Sequence, residues 1–143
     1  MNEDFAVTSA FHSYYQVRDV DDIVIYGLED ANYVDKVDNF AQKNQVGPIT
    51  ITSETDRIYL DTKSECIIED LILKRKIRIS KSGSNSTVVW NPWIGKSHQM
   101  KDLGDQDYTK FVCVETANAG MDIITISPGN QHKLEMKVAV EAL

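Results

Sequence analysis

The sequence predicts an all-β sandwich or barrel built as one domain over residues 1–143. Short runs rich in β-branched and aromatic residues recur along the chain. Turn residues separate them, and helical periodicity is weak, a combination that marks a sandwich or barrel. Phe5 to Val17 reads as the first strand region. Ile23-Val24-Ile25-Tyr26 follows and is closed by Gly27. Ile49-Thr50-Ile51-Thr52 comes after Gly47-Pro48, and Arg57-Ile58-Tyr59-Leu60 is another short strand. Cys66-Ile67-Ile68 and Lys76-Ile77-Arg78-Ile79-Ser80 look like neighbours, the second with clear polar–apolar alternation. Thr87-Val88-Val89-Trp90, Phe111 to Thr116, Ile123 to Ile126 and Leu134 to Val140 complete the set. Val37 to Gln42 fits one helical turn. Met100 to Asp107 and Ser82 to Ser86 read as loops. No repeat or linker divides the chain.

The start of the chain is unusual. Phe5 to Tyr15 reads like an interior strand, yet it lies almost at the first residue. An interior strand without neighbours leaves exposed edges, which β-proteins avoid. The expectation is a partner covering those edges: an N-terminal half or a second copy.

Composition excludes several classes. With 42% apolar and 26% charged residues, the chain is neither disordered nor a membrane protein by composition. The net charge of -7 argues against nucleic acid as a partner, because phosphate backbones need a basic face. No apolar run reaches transmembrane length. Cys66 and Cys113 sit in strand-like runs and read as buried thiols of a reducing compartment, so the expected location is the cytoplasm.

Glu115 is the residue that calls for explanation. In Phe111-Val112-Cys113-Val114-Glu115-Thr116 the alternation of a strand puts Phe111, Cys113 and Glu115 on one face. Neither face reads as a solvent face, so a carboxylate is carried into an apolar layer. Such a group pairs or takes up a proton more readily, which makes it a candidate for proton transfer.

Three further segments carry candidate chemistry. His12, in Ala10-Phe11-His12-Ser13-Tyr14-Tyr15, is either a general acid or base or a histidine packed among aromatics. Asp56, beside Arg57 at the start of a strand, either accepts hydrogen bonds from sugar hydroxyls or caps the strand. Trp90-Asn91-Pro92-Trp93 ends a strand at a proline, and its aromatic faces suit either a sugar ring or a core anchor. His12, His98 and His132 show no metal-ligand spacing, and the glycines form no phosphate loop.

Together these segments resemble the glucose-6-phosphate 1-epimerase branch of the aldose 1-epimerase family. The segments are Ser9 to Tyr15, Glu54 to Tyr59, Val88 to Trp93, Asp102-Leu103-Gly104-Asp105 with Tyr108, Val112 to Asn118, and Ser127-Pro128-Gly129. The likeness runs from about Phe5 to the C-terminus. It implies a β-sandwich of the galactose-mutarotase type, incomplete at its N-terminus, since the chain matches the C-terminal half of longer family members.

The resemblance also implies a reaction and its residues. The reaction is interconversion of the α and β anomers of an aldohexose 6-phosphate by ring opening, with no metal or other cofactor. His12 matches the family's general acid and Glu115 its general base. Asp56 matches the acidic residue that holds substrate hydroxyls and orients the histidine. Beyond what the resemblance assigns, Arg57, Trp90 and Asn91 are expected as further substrate contacts, and Arg57 and Lys36 are the nearby cations for a phosphate. His12 and Glu115 should line one cleft, far enough apart to admit a pyranose ring. The alternative reading is a non-catalytic carbohydrate-binding domain, or an inactive fragment of the epimerase.

Overall fold

Apolar alternation decides which side of each strand meets the core. The computed structural model describes residues 2–143. Its strands are β1 (Phe5–Val7), β2 (Ser9–Phe11), β3 (Tyr14–Gln16), β4 (Ile23–Tyr26), β5 (Asn32–Asp35), β6 (Ala41–Asn44) and β7 (Thr55–Tyr59). They continue as β8 (Cys66–Asp70), β9 (Arg75–Ser82), β10 (Ser86–Asn91), β11 (Phe111–Asn118), β12 (Ile124–Ile126) and β13 (Glu135–Ala142). One short helix, α1 (Trp93–Gln99), follows β10.

The strands form two facing antiparallel sheets and a small ribbon. The larger sheet runs β2-β11-β10-β7-β5-β6, with β3 also on β11, the smaller runs β13-β9-β8-β4, and β1 pairs with β12. The core lies between the two sheets. Tyr33, Tyr59, Val89, Val112 and Val114 come from the larger sheet, and Ile23, Ile25, Cys66, Ile68, Ile77 and Ile79 from the smaller. The all-β sandwich predicted from sequence is therefore the observed class. No helix among the described residues is long and apolar enough to cross a membrane. Ile68 is fully buried at the middle of this core. Ile68→Ala is expected to cost about 2–5 kcal/mol, through lost transfer energy and a cavity, read as a lower urea midpoint at unchanged slope.

Some local expectations change. The first run is not one interior strand but β1, β2 and β3, with Phe5, Phe11 and Tyr14 exposed. Val37 to Gln42 forms no helical turn; Asn39 and Phe40 take left-handed backbone angles and lead into β6. Ile49 makes only an isolated bridge to Ile25. Helix α1 was not foreseen. It follows Pro92 directly, where the Asn91 side-chain oxygen accepts the Trp93 N–H at 2.9 Å. A side-chain acceptor at that point satisfies one of the amides that a helix start leaves free.

Each sheet has two edge strands, and one edge of each, β2 with β3 and β13, lies on the same side of the sandwich. Strands β2 and β3 pair only with β11, and β13 pairs only with β9. Met136 of β13 joins the two edges, with its sulfur 3.6 Å from the Tyr15 hydroxyl and 3.7 Å from that of Ser13. Exposed Val138 and Val140 on β13 and Phe11 and Tyr14 on β2 and β3 leave this side partly apolar.

Candidate active site

Strand β11 is buried along its whole length. Its inner side chains, Val112 and Val114, belong to the core. Its outer side chains meet a second apolar cluster of Trp90, Phe111 and Cys113, with Met100 and Leu103 from the segment after α1. Glu115 shares this outer face, so the alternation read from the sequence holds.

Register then selects the neighbours of Glu115. Phe11 pairs with Thr116 in β2, and Tyr14 pairs with Cys113 in β3. The offset is the same on both sides of the break, which sets His12 directly opposite Glu115. The Ser13 N–H donates to the Phe11 carbonyl at 2.9 Å and pinches the chain tightly around His12. On the other side of β11, Val88 pairs with Glu115, and Trp90 pairs with both Cys113 and Asp56. The Lys36 amide donates to the Asp56 carbonyl at 2.9 Å and extends that row by one strand.

These residues line a pocket of about 240 Å3, bounded by Ala10, His12, Lys36, Asp56, Ile58, Val88, Trp90, Glu115 and Ala119. His12 Nε2 lies 3.3 Å from Glu115 Oε1, the imidazole half exposed and the carboxylate almost enclosed. Lys36 Nζ lies 3.2 Å from Asp56 Oδ2. The His12 ring stacks on Tyr14 with centroids 5.0 Å apart and meets the edge of Trp90 at 5.6 Å. A larger depression of about 410 Å3 runs from Gly27 to Ser64, lined by Glu29, Asp30 and Asp61 without any histidine. Chemistry, not volume, picks out the Glu115 pocket.

Burial pushes the Glu115 carboxyl above the usual carboxylate range. His12 and Lys36 pull it down and Asp56 pushes it up, but loss of water is the largest effect. The Cys113 thiol is also pushed up, by burial first and then by the Glu115 charge. The donor atoms of His12, Cys113 and Glu115 all lie within 4.8 Å of one another, a spacing compatible with a shared metal ion.

The structure brings together His12, Lys36, Asp56, Trp90 and Glu115. It separates Arg57 and Asn91 from them. Arg57 follows Asp56 on one strand and so points to the opposite face. Its guanidinium donates to Gln45 Oε1 at 3.3 Å and to the Tyr59 hydroxyl at 3.4 Å, and lies 4.9 Å from the Tyr33 ring centroid. Asn91 follows Trp90 and is turned away likewise. It is fully buried and donates to the Tyr108 and Phe111 carbonyls, each at 2.9 Å. The expected spacing of His12 and Glu115 also changes, because direct neighbours on paired strands sit in contact rather than a ring's width apart.

A buried carboxylate facing an imidazole, beside an aromatic wall and an ion-paired aspartate, groups residue types that proton transfer requires. Similarity to known proteins gives the family. The sequence profile of the aldose 1-epimerase family matches residues 1–139, and the chain belongs to that family. A Cenchrus ciliaris protein provisionally named glucose-6-phosphate 1-epimerase is 35% identical over 130 residues, covering 89% of this chain and 39% of that protein. A protein of the same provisional name from Escherichia coli K12 is 39% identical over 118 residues, covering 81% of this chain and 40% of the relative. The crystal structure of a provisionally assigned mutarotase from Salmonella typhimurium superposes with a TM-score of 0.91 at 31% identity, covering 99% of this chain and 48% of that one. The chain thus spans about two fifths of the length of the curated relatives it matches.

Proposed function

We propose that this pocket interconverts the α and β anomers of an aldohexose 6-phosphate, glucose 6-phosphate being the first substrate to test. The contact between His12 and Glu115 at 3.3 Å within one pocket carries the reading. Opening a hemiacetal ring needs a base at the anomeric hydroxyl and an acid at the ring oxygen. Both oxygens are bonded to C1, so the acid and base must be neighbours, and a cross-strand pair meets that need. Glu115 takes the proton of the anomeric hydroxyl while His12 gives a proton to the ring oxygen and the C1–O5 bond breaks. The C1–C2 bond rotates, and the reverse transfers close the ring on the other face. No proton is gained or lost overall.

Asp56 accepts hydrogen bonds from ring hydroxyls in this reading, which its ion pair with Lys36 in the same pocket supports. Trp90 presents an aromatic surface to the C–H side of a pyranose. A raised Glu115 pKa suits a base that must release its proton again on ring closure. Two buried free cysteines accord with a cytoplasmic setting.

The phosphate and the open edges point the same way. Among the described lining residues Lys36 is the one lysine or arginine, and Asp56 already pairs with it. The proposed partner is therefore a polypeptide equivalent to the N-terminal part of the longer relatives. It would pair along β2, β3 and β13 and supply the cations for the phosphate. The test is a coupled assay of α-to-β glucose 6-phosphate conversion, against the spontaneous rate, with the chain alone and with that segment added. A rate above background in either arm supports the reading. No rate in both arms, from folded protein that forms the complex, removes it.

A further inference from the structure

The histidine spacing in the sequence points to no metal site, but the fold gathers three candidate donors, two from β11 and one from the turn between β2 and β3. We propose that His12 Nε2, Cys113 Sγ and a Glu115 oxygen form a binding site for a thiophilic divalent cation of the Zn2+ type, with one coordination position open to the pocket. The three donors lie within 4.8 Å of one another. The 3.3 Å from His12 Nε2 to Glu115 Oε1 matches the edge of a tetrahedron with arms of about 2.0 Å, the usual length for zinc bound to nitrogen or oxygen.

The donor set selects the ion. A thiol, an imidazole and a carboxylate suit Zn2+, whereas Mg2+ and Ca2+ demand all-oxygen surroundings. Cys113 and Glu115 are two residues apart on one face of buried β11, which fixes two ligands on a rigid base. His12 is the half-exposed ligand and can adjust to close the triad. Tyr14 and Trp90 flank it and limit access from bulk water. Three protein ligands with a fourth position open is the arrangement of an accessible zinc site rather than a closed structural one.

Binding is an exchange of a proton for a metal. The Cys113 S–H bond breaks, its electron pair forms the bond to the cation, and the proton leaves to the buffer. His12 binds through a neutral ring nitrogen. Because the cation occupies both His12 and Glu115, it blocks proton transfer to a sugar. That consequence rests on the proposed function, whereas the binding itself does not.

The test uses the full chain and Co2+ as a spectroscopic stand-in for Zn2+. The expected result is a thiolate-to-cobalt charge-transfer band in the near ultraviolet, saturating at one ion per chain. Zn2+ should bleach the band, and excess Mg2+ should leave it. Calorimetry in buffers of different ionisation enthalpy should show at least one proton released per Zn2+. Cys113→Ala should remove the band and weaken Zn2+ by more than the roughly 10–100-fold that losing an outer-shell support costs. Cys113→Ser, which keeps the shape without the thiolate, does the same if the alanine variant is unstable. Cys66→Ala, a core position on the facing sheet, should keep the band. Absence of the band in the unaltered chain, or equal Zn2+ affinity in the folded Cys113 variants, overturns the proposal. Neither readout depends on whether the chain turns over a sugar.

Discussion

Glu115→Gln is expected to lower the rate of catalysed anomerisation by about 10²–10⁴-fold, the usual worth of a positioned proton transfer, while sugar affinity stays within a small factor. Glutamine keeps the shape and the hydrogen-bonding reach of the side chain but cannot take a proton. The pH profile separates this from a general disturbance. The base is competent only when ionised, so the rate should climb as pH rises through the burial-raised Glu115 pKa, above the ordinary value of 4.5. The residual rate of the variant should be flat across that window. Stability runs the other way. A carboxyl whose pKa is raised by folding favours the folded state below its unfolded value and loses that contribution as pH rises through the folded value. The variant should therefore unfold at an equal or higher urea midpoint at neutral pH. A variant that loses activity and stability together would mean that Glu115 holds the pocket's structure instead.

Asn91→Ala is expected to unfold the chain more easily without changing sugar affinity. The side chain ties the end of β10 to Tyr108 and to Phe111 at the start of β11 through two donated bonds, and its oxygen receives the Trp93 N–H. Removing it strands two buried carbonyls, each worth about 1–3 kcal/mol when left unpaired, and frees the part-buried Trp93 N–H. Asn91→Asp keeps the acceptor for Trp93 and loses the donors, so it should be intermediate or worse. Urea unfolding and substrate titration of the same samples decide the matter. A changed sugar affinity at unchanged stability would return Asn91 to the substrate.

Much of the pocket was legible because one rule, alternation along a strand, was applied to Phe111 through Glu115. The same rule, applied to Asp56-Arg57 and to Trp90-Asn91, would have removed Arg57 and Asn91. Adjacent residues of a strand cannot face one pocket, yet the expected site holds both members of each pair. Lys36 is different. Its place beside Asp56 follows from the pairing of β5 with β7, which no local pattern announces. The contact between His12 and Glu115 likewise depends on register across about a hundred residues of chain. Helix α1 escaped because a proline at a strand's end reads as a stop, while here it also precedes a helix seeded by the Asn91 side chain.

The open edge of the larger sheet has a consequence for timing. Glu115 sits on β11, clamped by strands on both sides, while His12 sits on the outermost segment, hydrogen-bonded along one side only. Base and acid thus belong to parts of the sheet that open with different free energies, since outer strands fray before inner ones. Amides of residues 9–16 should exchange with solvent faster than those of β11. A strand docking along that edge would slow the fraying and hold the imidazole against the carboxylate. Assembly and proton transfer would then be read by one amide-exchange measurement: protection at His12 would report how much of the time the acid is in place.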